Sequence, residues 1–481
     1  RLWLQLVVET ELEPAELHSR SRPLLPNLDF KLRPGDSLLD FSPFLRAGLP
    51  KELLPRHLKD RITQLQGKKR RFFQGEAGLS EEVLKQEEQD LFRDILDECI
   101  RALQNEIARK EEEKRALVSQ TALPGMGRSK SHQEAERRLE EETQELREKL
   151  ERYQEARNAL RPDQPTPFVW DIAFVEIFES ENPGFDIVIG NPPYVRQEKI
   201  RDYLNRFDRK EYLDRLNESL RAIYPGFLGR ERRISGRADY YVYFYLHGLS
   251  LLADRGSFCF ITSNSWLDVD FGKDLQEFFL RFGHLKMVID NQKRRSFARS
   301  DVNTVIVLAG PPERKRPLSE DEMRARPVRF VAFRVPFEEA MSPVVFLEIE
   351  DDTLYRPMAH FRVLQRPEFR VVLLDQWALY QEGLGEAEEG QWIGAHRYEG
   401  NKWGGKYLRA PDIFFTILEK GKDKLVRLGD IAEVRFGIKT GANEFFYLEP
   451  VGRTVKEVAE LAQKDPMAPV RVKNGAGWTG E

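Results

Sequence analysis

Only two cysteines, Cys99 and Cys259, occur in 481 residues. That is too few for a disulfide framework or a cysteine-built metal cluster, and a reducing, cytoplasmic setting is expected, with no metal site. No stretch reaches the roughly 18 uninterrupted apolar residues of a membrane span, and no signal peptide is recognisable. An excess of positive charge is missing too: 76 Lys and Arg face 80 Asp and Glu, for a formal net charge of −4. Contact with nucleic acid must therefore rest on local basic surface.

Hydrophobic residues make up 41% of the chain and charged ones 32%, a globular balance whose length allows roughly two to four domains. Arg1 stands within an apolar, helix-like run, and "VKNGAGWTGE" ends the chain without a closing element. We therefore expect a piece of a longer protein.

"FKLRPGDSLLD" (30–40) reads as a short strand whose end carries Gly35, Asp36 and Ser37. Residues 51–162 change character. Two long segments with helical periodicity and interleaved charges flank "TALPGMGRSKSH" (121–132), which predicts an inserted antiparallel helical hairpin. Beyond Pro162, strand and helix patterns alternate: "FDIVIG", a polar arginine-rich loop (199–237), an aromatic helix from Asp239 and Tyr240, then "SFCFITSNSWL", "LKMVIDN" and "VNTVIVLAG". Such alternation predicts an α/β fold with a doubly wound, mostly parallel sheet, whose ligands sit beyond the carboxyl ends of strands. Residues 336–399 read as a connector, with strands at "VRFVAFRV" and "EFRVVLL" on either side of its start, and 400–481 as a separate C-terminal segment.

"GFDIVIGNPPYVRQ" (184–197) carries the chemistry. Two prolines forbid helix and central strand, so the chain turns where a buried strand ends. Asn191 offers a side-chain carbonyl, and Pro192 a backbone carbonyl whose direction Pro193 fixes. Two rigid acceptors suit a planar amino group, and Tyr194 offers a face for a stacked ring. Accepting both hydrogens localises the nitrogen lone pair and stabilises the charge that grows during attack on an electrophile. An exocyclic adenine amine meets that description, and it is reachable only if the base leaves the duplex.

The stretch resembles the catalytic motif of gamma-class, TaqI-type amino-adenine DNA methyltransferases. It is more closely similar to their large relatives in type IIG restriction–modification and phage-defence systems. "PNLDFKLRPGDSLLD", "PFVWDIAFVEIF", "GSFCFITSNSWL", "FARSDVNTVIVL" and "LGDIAEVRFGIKTGANEFFYL" share that resemblance. It implies an S-adenosylmethionine-dependent methyltransferase fold over 1–50 and 163–335 and a target-recognition domain over 400–481. Asn191, Pro192, Pro193 and Tyr194 would be catalytic. Asp36 would accept a hydrogen bond from the cofactor's adenine, with Ser37 beside it and Pro193 against the cofactor. Phe297 would sandwich the flipped base with Tyr194. Lys402, Trp403, Lys406, Arg409, Lys439 and Asn443 become candidate contacts to double-stranded DNA. The basic runs "KKRR" (68–71), "RERR" (230–233) and "KRR" (293–295) are available to phosphates.

The sequence departs from that family in two ways. The glycine-rich cofactor loop expected before Asp36 is not seen, and "NGAGWTG" (474–480), although Gly-x-Gly-x-x-Gly, has no helix after it. The hairpin also separates "GDS" from "NPPY". A nuclease domain in a preceding segment, or a separate restriction subunit, remains open as a partner. An RNA base or a protein glutamine amide presents the same planar nitrogen, and a silent DNA-binding scaffold is the third reading.

Overall fold

The apolar runs read from the sequence become strands, and the turns between them fall at the expected punctuation. A computed structural model describes residues 33, 35–39, 55–73, 78–120, 130–159, 170–178, 181–203, 205–229, 232–294, 302–358, 361–385, 397–421, 424–426, 428–432, 448–474, 476 and 478–480. The chain divides into two compact units, Arg1–Thr416 and Ile417–Glu481.

In the first unit, α1 (Arg56–Phe73), α2 (Glu81–Gln120) and α3 (Lys130–Ala159) precede the sheet. The 40 residues of α2 make a rod of about 60 Å. Leu84, Leu91, Leu96, Leu103 and Tyr153 form a buried seam between α2 and its neighbours. Cross-helix pairs Lys110–Glu142 and Arg147–Glu111, at 2.7 and 2.6 Å, decorate the outside. The hairpin's root is polar and buried. Lys69 Nζ lies 2.7 Å from Glu88, 2.9 Å from Glu176 and 2.8 Å from the Ala173 carbonyl. Arg33 forks onto Glu88 at 2.8 and 3.0 Å.

The sheet of this unit has the order β1-β2-β4-β3-β5-β8-β7-β6. Its strands are β1 (Phe185–Gly190), β2 (Leu252–Ser263), β3 (His284–Asn291), β4 (Thr304–Gly310), β5 (Pro327–Phe333), β6 (Arg356–Met358), β7 (Phe361–Gln365) and β8 (Phe369–Asp375). β1 pairs parallel with β2, and β3 with β5. β4 slots antiparallel between β2 and β3. β1, β2, β3, β5 and β7 thus share one direction, against β4, β6 and β8. The α/β sheet is as expected, and its mixed direction reflects hairpin pairings that periodicity cannot reveal. The stretch 336–399 contributes β6, β7 and β8 to the same sheet.

Two helices pack near the expected site. The segment 199–237, read as a loop, contains α4 (Arg209–Ile223), which Asp208 caps by accepting the Glu211 N–H at 2.8 Å. Its signal was present: Tyr212, Leu216 and Leu220 recur every fourth residue, and all three are buried. α5 (Tyr240–Ser250) is buried at every residue except Phe244, as an all-round apolar helix must be. α6 (Lys273–Arg281) leads into β3, and α7 (Gln376–Glu382) follows β8.

The second unit holds a small antiparallel sheet of β9 (Leu448–Pro450), β10 (Val472–Asn474) and β11 (Thr479–Gly480), with α8 (Val455–Lys464) capped by a Thr454–Glu457 box. The glycine-rich run 474–480 closes the β10–β11 hairpin. Asn474 N–H donates to Trp478 O at 2.9 Å, and Trp478 N–H to Asn474 Oδ1 at 2.8 Å. The antiparallel pairing of β10 with β11 makes it a turn between strands.

Candidate active site

Gly190 ends β1 where its chain passes against β2; a Cβ there would stand 2.9 Å from the Phe260 ring. The turn that follows is held from both sides. Val195 N–H donates to Pro193 O at 2.9 Å, and Tyr240 N–H to Val195 O at 3.0 Å. Pro192 is buried, Asn191 and Pro193 are exposed, and Tyr194 is half-buried. The Tyr194 hydroxyl donates to Ile261 O at 3.2 Å, and burial raises its pKa. Among the described residues, neither the Asn191 side chain nor the Pro192 carbonyl takes part in a hydrogen bond. Two acceptors therefore stand free at the carboxyl end of β1. Beside them Asp239, just before α5, has its pKa raised by burial, partly offset by a hydrogen bond from the Gln197 backbone.

Asp36 is tied into the same region. Its Oδ1 accepts the N–H groups of Leu38 and Leu39 at 3.1 and 3.2 Å, an Asx-type turn. Its Oδ2 accepts from the Tyr212 hydroxyl at 3.1 Å and from Arg206 at 3.4 Å. Tyr212 and Tyr240 share a hydrogen bond of 2.7 Å between hydroxyls, so one chain of contacts links the "GDS" loop to the residue that fixes Val195. Burial, with Asp36 and Tyr240 close by, drives the Tyr212 pKa far up, so the phenol stays protonated. Arg206 is anchored by Asp202 at 3.0 Å. The Ser37 carbonyl accepts the Trp170 indole N–H at 3.2 Å. Tyr212, Arg206 and Trp170 were not singled out from sequence; a lone Tyr or Arg in a polar stretch carries no signal of its partner.

A cofactor adenine would find here the Asp36 carboxylate and the exposed ring of Pro193. Asp36 Oδ2 can take its amino group by giving up Arg206, the longest of its four contacts, so the residues present fit that end of the cofactor.

The expected DNA contacts separate. Trp403 is fully buried between Trp266 and Phe330, with centroids 5.9 and 5.7 Å away, so its ring is closed to a base; this corrects its assignment. Lys402 Nζ donates to Asp268 O at 2.7 Å, Lys406 pairs with Glu382 at 2.5 Å, and Arg409 pairs with Asp268. All four lie in the first unit, within or beside a π-helical turn at Gly404–Leu408. Phe297, Lys439 and Asn443 lie outside the described residues. Of "KKRR", Lys68 pairs with Glu87 and Lys69 is buried. Of "RERR", Arg232 pairs with Glu277 and Arg233 with Asp214.

The chain is similar to characterised restriction–modification methylases. Residues 99–297 match the model of the Eco57I restriction-modification methylase family. It is 24% identical over 273 residues to the type II methyltransferase M.BstVI of Geobacillus stearothermophilus, covering 55% of this chain and 38% of that protein. With the type II methyltransferase M.XhoI of Xanthomonas vasicola it shares 31% identity over 167 residues, 34% of this chain and 24% of the relative. The type IIG restriction endonuclease BpuSI aligns in structure over 58% of this chain and 27% of its own, at 14% identity and a TM-score of 0.31. The chain spans well under half the length of the curated relatives it matches. No helix among the described residues is long and apolar enough to cross a membrane.

Proposed function

We propose that this chain is the catalytic part of an enzyme that methylates the exocyclic amino group of adenine in a specific DNA sequence. One observation carries the reading: Asn191 Oδ1 and Pro192 O take no hydrogen bond from any described residue, beside the half-buried Tyr194 ring, in a chain similar to restriction–modification methylases. When bound, S-adenosylmethionine supplies an electrophilic methyl group. Asn191 and Pro192 accept the two amino hydrogens, Tyr194 stacks on the extruded base, and the base must flip to reach them. The amino nitrogen forms the new bond to carbon while the carbon–sulfur bond breaks and one proton leaves to solvent. The acceptors stabilise the positive charge on nitrogen until that proton departs. Asp36 and Pro193 would hold the adenosyl end.

Double-stranded DNA is then the partner, and the prokaryotic cytoplasm the setting. The Escherichia coli relative RM.Eco57I is both restriction enzyme and methyltransferase, and a nuclease domain or a restriction subunit is a natural companion here as well. Lys439 and Asn443, with the second unit, are proposed to read the sequence.

Full-length protein, labelled S-adenosylmethionine and mixed-sequence duplex test the reading. Label in adenine that disappears with Asn191→Ala supports it. Protein that binds the cofactor but labels only RNA or a protein amide would overturn it.

A further inference from the structure

A cleft of about 570 Å³ opens on the first unit beside the carboxyl ends of β3 and β5. Its lining includes Arg294, Arg334, Arg370 and Arg409, against the carboxylates Asp290 and Asp412. The sheet register explains the gathering. Ala332 near the end of β5 faces Arg370 near the start of β8, and Asp290 of β3 faces Val305 of β4. Asn264, directly after β2, also lines the cleft. Since Gly190 of β1 pairs with Phe260 of β2, the Asn191–Tyr194 turn lies at this same end of the sheet.

The cations are not neutralised within the cleft. Arg334 and Arg370 share one oxygen, Asp412 Oδ1, at 2.6 and 2.8 Å. Arg370 is 3% exposed and gives Nη2 to Leu408 O at 3.0 Å, but its buried Nε has no partner among the described residues. Arg294 is exposed and makes no ion pair among the described residues. Burial raises the pKa of Asp290, against the lowering effect of Arg409. A forked guanidinium surface at the reacting end of a sheet, in which Arg334 and Arg370 share one carboxylate oxygen and Arg294 makes no ion pair among the described residues, matches the geometry of a phosphodiester.

We propose that this cleft binds a backbone phosphate of the DNA that presents its base to Asn191, with Arg294 and Arg334 as direct contacts and Arg370 as their buried support. The proposal rests on the methyltransferase reading for the identity of the polymer. It assigns the 404–411 turn to the DNA-facing surface of the catalytic unit, as one wall of the phosphate site.

The full chain would be titrated with a fluorescent mixed-sequence duplex across a salt series, comparing wild type, Arg294→Ala, Arg334→Gln and the distant control Arg316→Ala. Arg316 pairs with Glu322 at the opposite end of the sheet, where Leu318 N–H donates to Arg281 O. Removing one arginine from a phosphate lowers the slope of log K against log salt by about 0.9. That decrease is expected for Arg294→Ala and Arg334→Gln, equally on unrelated sequences, and not for Arg316→Ala. The Arg294 side chain makes no hydrogen bond or ion pair among the described residues, so its variant reports binding without a change in fold. Unchanged slopes in both cleft variants, or no duplex binding by wild type, would overturn the proposal. Inorganic phosphate replacing chloride at equal ionic strength should leave the difference intact; if it erases it, free phosphate is the ligand and the proposal falls. Asn191→Ala should keep the full slope while losing methyl transfer. A reduced slope in the cleft variants without any methylation by wild type would retain the cleft and reject the reaction.

Discussion

The Tyr212 hydroxyl stands 3.1 Å from Asp36 Oδ2, across 176 residues of sequence and the whole helical hairpin. The same hydroxyl is 2.7 Å from that of Tyr240, whose backbone N–H holds the turn after Tyr194. Tyr212→Phe removes one donor from Asp36 and strands the Tyr240 hydroxyl in a buried setting. A loss of about 1–2 kcal/mol in urea unfolding is expected, with weaker cofactor binding as the "GDS" loop slackens. Wild-type stability and cofactor affinity in this variant would show that the two loops are fixed by other contacts.

Lys69 is expected to be the most sensitive residue of the hairpin root. Its ammonium serves Glu88 and Glu176 with no exposure of its own, so Lys69→Met takes the cation from the half-buried Glu176 and leaves the buried Glu88 with Arg33 alone. Breaking a buried pair in this way costs about 3–5 kcal/mol. Denaturant melts of Lys69→Met beside Lys69→Met/Glu176→Gln decide the point: the double variant should recover part of the loss. A surface pair such as Lys110–Glu142 should cost under about 1 kcal/mol when broken.

Gly272 lies where the backbone doubles back beneath Trp266. A Cβ there would stand 1.9 Å from the Trp266 carbonyl oxygen, an atom that cannot swing aside. Gly272→Ala should displace the 264–272 turn and with it the packing of Trp266 on Trp403. Loss of soluble protein, or a melting midpoint far below wild type, is the expected result. A normal melt would show the turn to be plastic.

His284 gives the first unit a pH dependence of defined sign. Burial, with Arg326 and Lys286 near, lowers its pKa from 6.5 to about 4. The unfolded chain therefore binds this proton first as pH falls, and stability declines from pH 6.5 down to about 4. Above 6.5 the group contributes its full share. Unfolding free energies of wild type and His284→Gln across that window should converge at the acid end; parallel curves would refute the assignment.

Element type was legible because apolar periodicity records it. "FDIVIG", "LKMVIDN" and "VNTVIVLAG" became β1, β3 and β4, and the charged heptad-like stretches became α2 and α3. Pairing was not legible, because β4 reads the same whether it lies parallel or antiparallel beside β2. The NPPY turn announced itself through residue types with no good structural use at a strand end. Asp36 was found only by resemblance, and its link to Tyr212 depends on a fold in which a hairpin is bypassed. Trp403 misled for a physical reason. Beside Lys402 and Lys406 it resembles a basic, aromatic DNA contact, yet its neighbours in space are Trp266 and Phe330. The arginine cleft is invisible in sequence, since its residues come from six separate segments.

The hairpin also bears on the order in which the protein assembles. Bringing Asp36 to Tyr212 closes a very long loop, and closure entropy rises with the length of free chain. α2 and α3 make mostly neighbouring contacts, from Lys110–Glu142 near the tip to Asp97–Arg157 near the base, so they can form before any strand pairs. Once formed, they remove most of the intervening chain from the search. Pulse-labelled hydrogen exchange should find α2 and α3 amides protected ahead of those in β1. The insertion that parts the two halves of the site in sequence is, during folding, the splint that brings them together.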